Sequence, residues 1–345
     1  MLHDDLPLID LHRHLDGNVR LATILDLAQT HDLPLPANNL EELRPHIQVS
    51  EPQMDIMAYF QKFTWMVSIF ANQEACWRVA YENVLDAHAE GIDYIELRFS
   101  PWFMAEPHDL DPVAVVEAVV EGVRSAVQEL NSIQVNLIGI ISRTYGVEIG
   151  YKELNALLAY QEHIVGLDLA GDEANYPAEW FVPHFKKARD AGWGITVHAG
   201  ESAGTESVWR SIRDLGAERI GHAVCIMDDP HLVEYMQTHR IGIEANLTSN
   251  YHTNTISSYA DHPLKTWLDL GLLATINTDD PGISPVTLRE EFEVAAPAAG
   301  LTAADTRTAQ LNAVEVAFLQ EADKQALMQK RHALPNLHQL HQEAN

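Results

Sequence analysis

The stretch Leu6-Pro-Leu-Ile-Asp-Leu-His-Arg-His-Leu-Asp-Gly17 decides how the rest of the chain is read. Its apolar first half predicts a strand, and that strand leads straight into His12 and His14. On an extended backbone residues i and i+2 point to one side. Two imidazoles therefore leave the same face, close enough to share one metal ion. Asp16 continues the row, and Gly17 is expected to let the chain turn away. Ordinary histidines also occur at this spacing, so the endings of the other strands must decide.

Working outward, strand-like runs recur at 92–98, 134–141, 164–170, 195–198, 219–222, 241–244 and 272–277. Helical patterning fills the gaps, at 21–31, 74–89, 113–130, 152–163, 181–191, 206–215, 230–239 and 263–270, and again from 289 to 329. Several of these helices stop at a glycine just before the next strand. Strands alternating with helices argue for parallel βα units. Eight of them argue for an α/β fold, a single closed (β/α)8 TIM-type barrel with extra helices. Apolar runs suit strands covered on both faces. With no repeat or interdomain linker in view, residues 1–345 read as one barrel domain. Residues 331–345, with His332, His338 and His341, read as a surface tail. Between Met54 and Phe70, aromatics and methionines recur at helical spacing. That pattern fits either a core helix or an apolar lid over a flat substrate.

Composition narrows the function classes. A chain of 345 residues, 46% hydrophobic, can bury a large core. Lys+Arg number 22 against 50 Asp+Glu, a formal charge of −28. Such a surface repels phosphate backbones and anionic lipid, so no nucleic-acid or membrane partner is expected. Two cysteines, Cys76 and Cys225, form no CxxC; this suits a reducing compartment and excludes a thiolate zinc site. No signal-peptide pattern opens the chain and no apolar run reaches membrane-spanning length, so the expected location is cytoplasmic.

In a barrel of this kind reactive groups sit at the C-terminal ends of the strands. Here the first run ends in His12 and His14, the fourth in Asp168-Leu-Ala-Gly-Asp-Glu173, and the fifth in His198-Ala-Gly-Glu201. The sixth ends in His222 and the eighth in Asn277-Thr-Asp-Asp-Pro-Gly282. Packing alone would favour apolar residues there. Three imidazoles and a carboxylate make a good zinc site with an open position for water. His12, His14 and His198 are the natural nitrogen donors, and Asp279 or Asp280 supplies the oxygen. The pKa of a bound water then falls from ~15.7 to ~7. Glu201, three residues beyond His198, stands where a general acid or base would face the substrate. His222 is a fourth nitrogen ligand or a base acting on the water. Of the paired aspartates, the one that does not bind metal is expected to accept a hydrogen bond from substrate.

These motifs, with Gly221-His222, Arg98-Phe-Ser-Pro101 and Leu247-Thr-Ser-Asn250, resemble the signature set of the adenosine deaminase family, closest to its bacterial members. The similarity runs in order through almost the whole chain. It implies a zinc-dependent aminohydrolase of the amidohydrolase superfamily that converts adenosine and 2′-deoxyadenosine to inosine and 2′-deoxyinosine plus ammonia. It carries one zinc per chain onto His12, His14, His198 and Asp279. It makes Glu201 the proton donor to purine nitrogen 1, and His222 the residue that orients and deprotonates the attacking water. Asp280 would meet nitrogen 7, the Gly171 backbone amide nitrogen 3, and Asp16 the ribose, with His14 also beside the substrate. Tyr59, Phe60 and Phe63 would form the apolar wall. The implied partner is a small purine nucleoside, with no obligatory protein partner.

Two positions depart from the family pattern. Ala223 follows His222 where glycine is frequent, and Ala245-Asn246 stands where bacterial relatives often carry Ser-Cys. Asn246 adds a polar group near the end of the seventh strand, which bears on substrate preference. The rival reading is a sister deaminase acting on adenine or another 6-aminopurine, but such enzymes usually carry Leu-Glu-Gly after the second histidine, and this chain has Leu15-Asp16-Gly17. A binuclear barrel hydrolase would want a bridging lysine at the fourth strand end, and 164–173 holds none.

Overall fold

Eight parallel strands follow one another around a barrel: β1 Ile9–His14, β2 Tyr94–Phe99, β3 Gln134–Ser142, β4 Ile164–Ala170, β5 Gly194–Ala199, β6 Arg219–His222, β7 Gly242–Ala245 and β8 Leu273–Ile276. This computed structural model describes residues 1–333. The strand order matches the sequence order, as a (β/α)8 barrel requires. Closure comes just past β8, where the Asp279 amide donates to His12 O and the His14 amide to Asp279 O, both at 2.8 Å. The seam that closes the barrel thus runs through three of the expected metal ligands. β1, β2 and β8 are buried along their whole length, so even the polar residues that alternate with apolar ones in β1 and β2, Asp10, His12, Glu96 and Arg98, are out of water.

The surrounding helices carry local signals that stop and start them. In the helix Pro112–Leu130, Asp111 accepts from the Val113 amide and Asn131 ends the helix in the left-handed conformation. It packs on Gln73–Ala89, itself capped by Asn72. Gly122 permits that contact, because a Cβ there would lie 2.4 Å from the Trp77 carbonyl oxygen. The helix Leu40–Ile47 was not expected. Its sign was present, since Asn39 caps the amide of Glu42 in an Asn-x-x-Glu box.

The stretch from Met54 to Phe70 is neither a single helix nor only a lid. It breaks into Ile56–Phe60 and Phe63–Val67. Tyr59, Phe60 and Phe63 face the cavity at the barrel mouth, whereas Met66 and Phe70 are fully buried in the core. The helix Glu321–Ala333 runs past the expected start of the tail at 331, and 334–345 lie outside the described residues.

Candidate active site

His12, His14, His198 and Asp279 meet at the top of the barrel. His198 Nε2 lies 3.1 Å from His12 Nε2 and 3.2 Å from His14 Nε2. Asp279 Oδ1 is 3.2 Å from His12 Nε2 and 3.4 Å from His14 Nε2. All four ligand atoms fall within 4.8 Å of one another. Carboxylates hold the far sides of two rings: Glu244 reaches His12 Nδ1 at 2.7 Å and Asp168 reaches His198 Nδ1 at 2.9 Å. Each ring proton therefore sits on Nδ1, and the Nε2 lone pairs converge on one point. Outer carboxylates on ligand histidines are a recurring feature of metal centres. The donor set fits a divalent metal ion. Gly221 makes room for the His12 ring, since a Cβ there would come within 2.8 Å of it. Asp279 and His222 both take φ of +67°, a region costly for residues other than glycine, so backbone strain is concentrated at this site.

Beneath the ligands lies a floor of fully buried charge. Arg98 donates to Asp168 at 2.8 Å and to Glu244 at 2.9 Å, joining the two carboxylates that hold His12 and His198. Arg219 donates to Glu244 at 2.7 Å and to Glu96. Burial opposes ionisation of Glu244, but Arg98, Arg219 and His12 hold its pKa well below the usual carboxylate range. Asp168 is depressed likewise, by His198 and Arg98 against burial. The sequence reading missed Glu244, Arg98 and Arg219 as a connected unit. A buried arginine pattern at strand positions was the signal available.

The pocket side is built differently. A cavity of about 200 Å³ opens above the ligands, lined by His14, Asp16, Gly171, His198, Glu201, His222, Asp279 and Asp280 under the aromatic wall. Glu201 is carried by a loop whose backbone is gathered around Glu173. That carboxylate accepts from the amides of Gly200, Glu201, Ser202 and Ala203 at 2.6–3.2 Å. Burial, with Asp279, Glu173 and Asp280 nearby, pushes the Glu201 pKa well above the carboxylate range. Burial and Asp279 do the same to Asp280. Burial and the neighbouring Asp279 therefore favour the neutral form of the Asp280 carboxyl. Its Oδ1 is buried without a partner among the described residues.

Gly17 also has a different reason from the one expected. Its φ is not positive, and a Cβ on it would lie 1.8 Å from Asp280 Oδ1. Glycine there makes room for the carboxyl group and does not serve as a swivel. Asp16 Oδ2 accepts from the Ser100 amide at 2.9 Å, and Oδ1 lies 3.6 Å from His14 Nδ1. His222 Nε2, buried and without a partner, faces Asp279 Oδ2 at 3.8 Å. Asn246 lies behind His222, 3.3 Å from its Nδ1, and does not line the cavity. Every expected site residue is therefore at one barrel mouth, with His12 just beneath the cavity floor.

A barrel with convergent histidines, an aspartate after β8 and a shielded carboxyl at the mouth defines the class of metal-dependent barrel hydrolases. Comparison with known proteins narrows the class. The adenosine deaminase family model matches residues 7–333. The chain is 54% identical over 330 residues to an adenosine deaminase of Photorhabdus laumondii, covering 96% of this chain and 99% of that one. It is 53% identical, with the same coverage, to one of Proteus mirabilis. Among solved structures, an adenine deaminase of Arthrobacter aurescens superposes with a TM-score of 0.86 at 23% identity, over 94% of this chain and 98% of that one. An amidohydrolase of Burkholderia ambifaria with bound zinc gives 0.85 at 25% identity, over 95% and 90%. The chain belongs to the adenosine deaminase family.

Proposed function

We propose that this chain hydrolyses adenosine and 2′-deoxyadenosine to inosine and 2′-deoxyinosine, releasing ammonia. The observation that carries the reading is the Glu201 carboxyl, its pKa pushed up by burial, set in one apolar-walled cavity with the converging ligand atoms. His12, His14, His198 and Asp279 would hold one zinc ion, because three nitrogens and a carboxylate suit that borderline metal. The metal supplies Lewis acidity that makes water a nucleophile near neutral pH. Glu201 gives its proton to purine nitrogen 1, which makes carbon 6 electrophilic. Asp280, as the neutral acid, donates to nitrogen 7. The Gly171 amide meets nitrogen 3, and Asp16, with His14 beside it, holds the sugar. His222 Nε2 holds the attacking oxygen. Tyr59, Phe60 and Phe63 cover the flat base and exclude bulk water. One water is consumed, the exocyclic nitrogen leaves as ammonia, and the 6-oxopurine remains.

The same reading treats residues 1–345 as one deaminase domain working in the cytoplasm. Cys76 and Cys225 are unpaired, and among the described residues no helix is long and apolar enough to cross a membrane. Incubation with adenosine, 2′-deoxyadenosine and adenine, followed by ultraviolet change and ammonia release, tests the substrate. Specificity constants favouring adenine would move the chain to a sister activity and leave the metal and Glu201 roles standing.

A further inference from the structure

Behind His222 a line of hydrogen bonds has a polarity that can be read from one end to the other. It starts at a backbone amide, whose direction is fixed. Leu264 N donates to His262 Nδ1 at 3.1 Å. His262 is buried and its pKa is pushed down to about 3 by that burial, so the ring is neutral and its single proton sits on Nε2. That Nε2–H faces Asn250 Oδ1 at 3.3 Å, so this side of the carboxamide accepts. The opposite side, Nδ2, must then face His222 Nδ1, at 3.0 Å. The same Nδ2 also lies 3.5 Å from Glu201 Oε1, which can accept from it, while that oxygen stands 3.6 Å from His222 Nδ1, beyond hydrogen-bond reach. His222 Nδ1 therefore meets an N–H donor and carries no proton. Asn246 Nδ2, 3.3 Å from the same atom, fits the same polarity. All four residues are buried, so water does not reset the pattern.

We infer that Asn250 and His262 are positioning residues that set the tautomer of His222, leaving its ring proton on Nε2, the nitrogen that faces the metal ligands and the cavity. The inference rests on the proposed deaminase reading only for its consequence. His222 then meets the attacking oxygen as a donor: it orients that oxygen and stabilises charge on it. Taking a proton at Nε2 would need a lone pair there and a hydrogen on Nδ1, which the Asn250 amide opposes. This replaces the expectation that His222 deprotonates the water. No part of it comes from residues that touch substrate. It runs from the turn before the helix Leu264–Asp269 through the helix Leu247–His252 to the end of β6.

The test is a long-range proton–nitrogen spectrum of the zinc-loaded protein with ¹⁵N-labelled histidine, the His222 signals being identified by their loss in His222→Gln. We expect a pyridine-type shift at Nδ1 and a pyrrole-type shift at Nε2, whatever the substrate proves to be. The reverse pattern overturns the relay even if adenosine is turned over. Failure of adenosine turnover with the expected pattern overturns the functional reading and leaves the relay in place. His262→Leu keeps bulk but removes the donor to Asn250. It should mix the two nitrogen patterns and lower kcat by roughly 10²-fold, below the ~10⁴ of a full wrong-tautomer loss, while KM stays within about twofold. His262→Gln, which can still donate, should recover most of that loss. An unchanged spectrum and kcat in His262→Leu would contradict the inference.

Discussion

Two sets of buried carboxylates, a few ångströms apart, are in opposite states. Below the ligand ring, Asp168 and Glu244 are gripped by Arg98 and Arg219 and stay ionised. At the mouth, Glu201 and Asp280 form no ion pair with arginine or lysine among the described residues, and burial with neighbouring carboxylates pushes both pKa values up. Residue types are the same, and all four carboxyls are shielded from bulk water, although Glu201 keeps a small exposure at the cavity. What differs is the cation beside each. The floor uses charge to fix histidine rings; in the proposed reaction the mouth presents its protons to the substrate. The family's chemistry needs both, and the barrel separates them by placing one set along strands β4 and β7 and the other on the loops after β5 and β8.

Breaking the ring between the two sets should have the largest effect. His12→Ala or Asp279→Ala should lose both metal, by elemental analysis, and turnover. Breaking the floor comes next. Arg98→Met leaves two buried carboxylates without their shared cation, a loss of about 3–5 kcal/mol. Denaturant unfolding should show it, and metal affinity should fall because both held histidines are freed. A stability change within 0.5 kcal/mol would mean that the floor is not a connected unit, taking that figure as the roughly neutral range of surface substitutions. At the mouth, Asp16→Ala should lower efficiency on adenosine more than on adenine, by roughly 1–3 kcal/mol, because only the nucleoside offers a sugar hydroxyl to that carboxylate. Equal losses on both substrates would remove Asp16 from the sugar site.

The smallest effect tests the strained backbone between the sets. Ala223 takes φ of +55°. Its left-handed conformation costs roughly 1–2 kcal/mol. Glycine regains that but frees the unfolded chain by ~0.4–1 kcal/mol. Ala223→Gly should therefore fall between neutral and about 1.6 kcal/mol more stable. A loss of stability would show that the Ala223 methyl packs better than its φ suggests.

The barrel was legible because its evidence is periodic. The run at 219–222 coincides with β6, and His14, His198 and His222 stand at or within one residue of the ends of their strands, with His12 two residues inside β1. The ligands and Glu201 were legible because their residue types are anomalous where packing favours apolar side chains. What sequence could not show was state and company. Nothing near Asp280 in the chain says that Gly17 leaves its carboxyl room, or that Asp279 keeps it protonated. His262 and Asn250 are twelve residues apart, and the link from them to His222 exists only once β6 and β7 lie side by side. The stretch from Met54 to Phe70 misled as a single helix because one aromatic pattern serves two surfaces, the cavity and the core.

The account's central claim is that the mouth supplies the proton while the ring and floor hold the metal. Glu201→Gln, assayed for bound metal and for adenosine turnover together, tests it most directly. Glutamine keeps the size and removes the proton. The account expects one metal per chain as in the unaltered protein, with kcat reduced by roughly 10²–10⁴-fold. Near-normal turnover at full metal content would contradict it.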